Sequence, residues 1–463
     1  MPTQTSPSSR MSTAVAVVSL AALTLAALTL AACSTAPSAA PSSGASPTAA
    51  GVASPAASAN PSPSVAASLD RAGEWRADLA EIIPALERLH PAPFHGTSRA
   101  DLETAIAGLS AQLPTLTDDQ AMVGVLRIAA LVSAQGCDGH TGVFPWGTGS
   151  YPVTSLPLRL WLFDDELVIV DALPPYGELI GGRIDAINGH PTAEVLAALD
   201  PLIPRDNAQT VRLLTPRYLL IPEILRGLGL VGEGPVTFQV ARDDAAPADT
   251  EVDAIPMAEY NAWAGPYGLH LPIDPDVMYL SNIDEDLWWR RLAIDRILYV
   301  QYNRVDRLPT AEIQQLGDAM RAPDVERIVL DIRHNFGGEV AVLDSITAIL
   351  EDPVVNVPGK LFLLTGRNTL SAGSMLTVRV MDRTEALVVG ESGSGCATFY
   401  GDVTDVPLPH SGLAFTVAGM LEVGVAPVDP RQTLSPDVEA VLTYEDWVEG
   451  RDPVLSLIVG SAP

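Results

Sequence analysis

Two short stretches carry residue types suited to acyl-transfer chemistry. The first, Asp331-Ile332-Arg333-His334-Asn335-Phe336-Gly337-Gly338, directly follows an apolar run. Its paired glycines let the backbone approach a ligand and turn free N–H groups toward it, an arrangement that stabilises an oxyanion. Asn-x-Gly-Gly is also a good ordinary turn. The second, Asn368-Thr369-Leu370-Ser371-Ala372-Gly373-Ser374, follows the next apolar run and opens a helical segment. A serine at a helix start is most often an N-cap. The same place suits a nucleophile, because the helix dipole and the next N–H favour the developing charge.

The elements that must hold these stretches can be read from periodicity. From Val277 onward, strand and helix alternate. Ile297–Tyr302, Ile328–Ile332, Leu361–Leu364 and Ala386–Val389 are continuous apolar runs of the kind buried on both faces. Helical segments over Thr310–Arg321, Val340–Leu350 and Ala372–Met381 separate them. The pattern predicts an α/β body around a mostly parallel sheet. Upstream, Leu69–Leu89 has helical spacing stopped by Pro91, and further helices start at Ser98 and at the capping-box pattern Thr117–Gln120. The third helix leads to Cys137-Asp138-Gly139-His140-Thr141. Between these regions, Tyr151 to about Ala254 has short β-rich runs, with Leu179–Ile184 leading into Ile187-Asn188-Gly189 and a helix from Thr192. This resembles the core of a PDZ-like module, and any small β-rich insert would read alike.

A formal charge of -29 repels phosphate backbones and offers no polybasic patch to anionic lipid, so nucleic-acid binding is not expected. Three cysteines do not make a disulfide scaffold. No HExxH motif, CxxC pair or His-rich tract appears, so neither metal nor cofactor is expected. The N-terminus has Arg10, then an Ala/Val/Leu run from Thr13 to Ala32 ending in Leu30-Ala31-Ala32-Cys33. That ending resembles a bacterial lipobox, which implies lipidation at Cys33; an uncleaved helical anchor is the other reading. Both put the body outside the cytoplasm. Ser34 to Ser68 is Ser, Ala, Pro and Gly with almost no large apolar residue, and reads as a flexible tether.

Taken in order, Tyr299-Val300-Gln301-Tyr302-Asn303, the Asp331–Gly338 stretch, Ser371-Ala372, Val389-Gly390-Glu391, Ser435-Pro436-Asp437-Val438 and Gly450-Arg451-Asp452-Pro453 resemble the tail-specific (C-terminal-processing) serine proteases. The helical lead ending in Asp138-Gly139-His140-Thr141 fits the same family. The resemblance implies a crotonase-like ββα catalytic domain with Ser371 as nucleophile. It also implies an oxyanion hole from backbone N–H groups near Gly337, Gly338 and Ala372. One branch of the family uses a lysine about two dozen residues after the serine as base. Lys360 is the chain's only lysine and precedes Ser371, so that solution is closed. The other solution, similar to the tricorn core protease, takes a histidine from the helical lead, and His140 matches that place; the chain resembles this branch, which retinoid-binding-protein-like relatives adjoin, more than the Ser/Lys one. His334 and His410 compete for the role, and Ser374 competes with Ser371. Glu391 and Asp429 are candidates for the orienting acid. If the site assembles this way, Cys137 and Cys396 approach within about 7 Å between Cα atoms, the limit for a bridge.

The organisation implied is a lipoprotein signal peptide over 1–32, a disordered linker over 33–68, an N-terminal helical domain over 69–150, a PDZ-like β-rich region over 151–255 and the catalytic domain over 256–463. The function implied is an exported, lipid-anchored serine endopeptidase acting on polypeptides without a cofactor. A non-catalytic peptide- or apolar-ligand-binding lipoprotein on the same scaffold is the alternative.

Overall fold

The apolar runs of the C-terminal half build one sheet. In the computed structural model, which describes residues 69–459 apart from 148, 243–244, 266–267, 293–295 and 426–427, it has six strands. The signal segment, Cys33 and the tether lie outside the described residues. The strands run, in spatial order, Leu287–Leu292, Ile297–Tyr302, Arg327–Asp331, Leu361–Thr365, Leu387–Gly390 and Val438–Glu439. All neighbours are parallel except the first pair, so the expected parallel core is present with one antiparallel edge. Burial on both faces explains the mostly apolar sequences: every residue of 297–302, 327–331 and 361–365 is buried. The helices Thr310–Arg321, Leu343–Leu350 and Ala372–Arg383 separate the strands in sequence. Leu298, Leu330, Leu363, Ala372 and Leu376 share one core cluster on that side of the sheet.

Three helices form the lead: Arg71–Leu89, Arg99–Gln112 and Asp118–Ala130. Ser98 caps the second through the Asp101 N–H, and Thr117 with Gln120 completes the expected capping box on the third. The third α-helix ends at Ala130, followed by a short 3-10 turn over Leu131–Ser133. Among the described residues no helix is long and apolar enough to cross a membrane.

The middle region has an antiparallel sheet of Leu158–Phe163, Glu166–Ala172, Arg183–Ile187, Val236–Arg242 and Ala245–Val252, with a helix at Thr192–Leu199. It is less purely β than its composition suggests. Ala208–Leu219 is a helix despite Thr210, Thr215 and Pro216, because Asn207 caps it and Leu213, Leu214 and Leu219 are buried. Pro222–Gly227 is another. A long hairpin, Thr398–Pro407 with Ala414–Val423, also went unanticipated. Gly142–Val143 adds to its second strand, opposite Thr416 and Phe415, and so docks the segment just after His140. The lead, the middle region and the hairpin share one large core, which includes Leu79, Leu126, Ile169, Tyr218 and Phe415.

Candidate active site

Ser371 ends the connection from the strand Leu361–Thr365 and is the residue before helix Ala372–Arg383. Its backbone has φ 55° and ψ -125°, a conformation normally reserved for glycine and costing a side-chain-bearing residue about 1–3 kcal/mol. The side chain makes no cap hydrogen bond. The ordinary N-cap reading therefore fails on geometry: an N-cap serine has extended backbone and accepts from the first turn. Ser374 is buried inside the helix, and its hydroxyl donates to the Thr369 carbonyl at 3.4 Å. That makes it a core residue.

Glycines crowd the serine. A Cβ added at Gly337 would lie 2.6 Å from Ser371 Cβ and 2.9 Å from the Ala372 nitrogen. One added at Gly395 would lie 3.5 Å from the Ser371 nitrogen. Gly337 adopts φ 104° and Gly338 φ 138°, so neither position accepts a side chain without strain. The expected donors divide unequally. The Gly337 N–H is taken, donating to Asn335 Oδ1 at 2.9 Å, while the Asn335 amide donates to the Tyr302 carbonyl at 2.7 Å. Gly337 therefore supplies room to the site, and its N–H is not an open donor. Ala372 stands at the first position of its helix, where N–H groups lack intrahelical acceptors.

Beneath this loop lies a buried charge network. Asp331 accepts from Tyr299 at 2.6 Å and from Arg333, whose guanidinium also donates twice to Asp452 at 2.8 and 2.9 Å. Burial would raise the Asp331 carboxyl, but the charge and hydrogen bonds of Arg333 win and hold it below the usual range. Arg333 stacks 4.4 Å from the Tyr279 ring centroid. His334, next in line, is buried with its ring stacked on the same tyrosine. Burial pushes it down to about 3. Among the described residues no hydrogen bond joins it to Ser371, and His410 is an exposed turn residue.

The segment that carries His140 is tied to the loop after the serine's helix by a disulfide and by the hairpin. Cys137 is bridged to Cys396 with Cα atoms 5.5 Å apart, inside the expected limit, and Cys396 follows the Gly395 that abuts Ser371. The Tyr400 N–H donates to the Cys137 carbonyl, and Ala418 N–H to Thr141 Oγ1. The His140 ring stacks on Phe399 at 5.4 Å, and Phe399 packs in the same core as Ala372 and Met375. Burial lowers the His140 ring from its ordinary value, while Asp138 and a hydrogen bond to the Tyr400 backbone oppose the shift. The candidate acids are engaged elsewhere. Glu391 accepts from Arg367 at 3.3 Å, and Asp429 is clamped by Arg431. The carboxylates around the His140 segment are Asp138 and Asp206, neither of which the sequence reading singled out. Asp206 takes the Gly139 N–H at 2.6 Å, and burial raises it to about 7. Asp138 sits among His90 and His95, a grouping with no familiar sequence spacing.

The solved structures that share this architecture include "mature CPAF complexed with lactacystin", at 13% identity and TM-score 0.55, covering 81% of this chain and 96% of that one. A CPAF mutant matches at 12% identity and TM-score 0.56, covering 84% of this chain and 99% of that one. The "photosystem II D1 C-terminal processing protease" also matches, at 16% identity and TM-score 0.38, over 79% and 92% of the two chains. No protein-family profile and no curated protein matches the sequence. The CPAF likeness, at such low identity, establishes a shared fold.

Proposed function

We propose that this chain, which has the fold of CPAF, is a serine peptidase of the tail-specific type that cleaves polypeptides through Ser371 and His140. The observation that carries the reading is the backbone of Ser371. A non-glycine residue at φ 55°, on a strand-to-helix turn, is strained for a reason, and a nucleophile aimed out of its turn is such a reason. In this reading His140 takes the hydroxyl proton as the oxygen attacks the scissile carbonyl. The N–H groups of Ala372 and Gly338 receive the oxyanion, with Gly337 giving the substrate room. The sheet of residues 287–439 and its helices are then a crotonase-like catalytic domain. The helical lead supplies the base, and the middle sheet is a PDZ-like module that helps hold the chain being cut.

The protein is exported and held at a membrane by a lipid on Cys33. The Leu30–Cys33 sequence supports this, as does the Cys137–Cys396 bridge, since disulfides persist in oxidising compartments. Mass spectrometry of the mature protein tests the anchor; an unmodified Cys33 in membrane-bound protein refutes it.

Fluorophosphonate labelling of the purified protein, followed by peptide mapping, tests the chemistry. The expected adduct is on Ser371. Ser371→Ala and His140→Ala should each abolish turnover, and the double variant should be no worse than either, because such a pair acts as a unit. Full activity in His140→Ala would remove His140 from the mechanism. A folded protein with no adduct would point instead to a binding protein on the same scaffold.

A further inference from the structure

A second constellation lies beside the proposed site, built from residues that the reaction does not use. Helix Arg71–Leu89 ends at His90, and the following turn brings His95 back beside it. Both imidazoles lie close to Asp138. The distances from Asp138 Oδ2 are 3.2 Å to His90 Nε2 and 3.7 Å to His95 Nε2. The side chains of Asp138 and His90 are fully buried, and that of His95 is 17% exposed. None of these nitrogen or carboxylate atoms has a hydrogen-bond partner among the described residues. A buried carboxylate without one is costly, and a cation offsets that cost.

The other ring nitrogens reveal what each histidine can offer. His95 Nδ1 lies 2.9 Å from the Ala92 carbonyl, an acceptor, so in the neutral ring Nδ1 carries the proton and Nε2 has a free lone pair. That nitrogen lies 3.7 Å from a carboxylate oxygen, and two electron-rich atoms stand close together unless something positive lies between them. A backbone carbonyl on the far nitrogen is also the usual outer support of a metal-binding histidine. His90 differs. Its Nδ1 accepts the Ala92 N–H at 3.0 Å, which leaves the proton on Nε2. The two rings are stacked, 5.3 Å apart and 7° from parallel. Parallel rings do not aim in-plane lone pairs at one point, so His90 must turn to serve as a ligand.

We infer that His95 Nε2 and the Asp138 carboxylate form a preformed pair that binds a divalent transition metal such as Zn2+, with His90 turning to complete the set. The separations suit this. Ligands about 2.0–2.2 Å from a tetrahedral zinc stand roughly 3.3–3.6 Å from each other, and the distances of 3.2 and 3.7 Å from Asp138 lie just to either side of that range. Two imidazoles and one carboxylate are a zinc ligand set that leaves the fourth position to water. Tyr400 packs against both imidazoles, its ring centroid 4.5 Å from each. The metal ties the end of the first helix to the segment carrying Cys137 and His140, and so acts as a clamp on the lead.

The test uses the full chain, stripped with chelator and titrated with Zn2+ by calorimetry and with Co2+ by visible spectroscopy. The expected result is one metal per chain, with the intense d–d bands of a four-coordinate nitrogen and oxygen site and no thiolate charge-transfer band. Zn2+ should raise Tm, since it binds the folded form. His95→Ala and Asp138→Asn should each abolish that uptake, and His90→Gln should weaken it less. Protection of His95 from diethyl pyrocarbonate by Zn2+, mapped on the wild-type protein, gives the same answer should a variant fail to fold. No stoichiometric uptake, uptake unchanged in the variants, or His95 modified equally with and without metal would each overturn the site.

Discussion

Replacing Gly337 with alanine perturbs the proposed site at a single methyl group. The new Cβ would lie 2.6 Å from Ser371 Cβ, 2.9 Å from the Ala372 nitrogen and 3.0 Å from the Leu370 carbonyl oxygen. All three belong to the turn that presents the serine, and two are backbone, so the clash can be relieved only by moving that turn. The φ of 104° adds strain of its own. Strain of about 1–3 kcal/mol and overpacking of a similar size, less about 0.4–1 kcal/mol from the stiffer unfolded chain, give a net loss of about 1–6 kcal/mol. The chemical effect should be larger, because the Ala372 N–H moves with the turn. Loss of one oxyanion donor slows such reactions by about 10²–10³. Gly359→Ala is the control: its φ is 77°, but nothing lies within 4 Å of the added Cβ. It should cost about 1–2 kcal/mol from strain alone and leave the chemistry untouched. Urea melts and fluorophosphonate labelling rates, measured where both variants are folded, separate the two effects. Labelling of Gly337→Ala at the wild-type rate would refute the proposed geometry, as would equal slowing in Gly359→Ala.

Three further outcomes follow from the same geometry. Replacing Cys137 and Cys396 together with alanine should lower stability by about 2–5 kcal/mol and slow labelling of Ser371, read by urea melts and the fluorophosphonate probe. His334, held down to about 3 by burial, is neutral when folded, while the unfolded ring titrates near about 6.5. Between those values the unfolded chain binds more protons, so this contribution is complete above about pH 6.5 and falls as pH drops toward 3, by up to about 1.4 kcal/mol per pH unit. The urea midpoint of His334→Gln should fall less steeply across that window, and parallel curves would contradict it. Arg333→Leu should cost about 3–5 kcal/mol in a denaturant melt, because it leaves Asp331 and Asp452 without their buried partner.

What the sequence disclosed depended on where each element's side chains end up. Strands 297–302, 327–331 and 361–365 were legible because parallel strands covered on both faces are apolar along most of their length, with Gln301, Arg327, Asp331 and Thr365 confined to positions at or next to their ends. The hairpin 398–423 was not, because the residues from Asp402 to Asp405 are exposed and break the apolar alternation that marks a half-buried strand. The helix at 208–219 hid behind residues of low helix propensity, and its burial, a tertiary effect, overrides them. The cluster of His90, His95 and Asp138 joins two segments that only folding brings together, so no local spacing announces it.

The Asn335–Gly338 stretch shows how a motif can be found for an incomplete reason. Two glycines after a buried strand suggest two open N–H groups, and the sequence supports that inference. The folded loop gives each residue a different task. Asn335 locks the loop through both ends of its amide, donating to the Tyr302 carbonyl and accepting from Gly337. That second bond removes one of the two expected donors. Gly337 is required for the absence of a side chain, because Ser371 Cβ occupies the adjoining space. Gly338 meets a similar limit on its other side, where an added Cβ would fall 1.8 Å from the Val305 carbonyl oxygen. Val305 fixes this loop from both directions, donating to the Gly337 carbonyl and accepting from the Glu339 N–H. The glycines are thus dictated by close packing against the serine turn and residue 305. Any oxyanion hole here draws on Ala372 and Gly338, with the loop's rigidity ensuring that those N–H groups keep their places as charge develops.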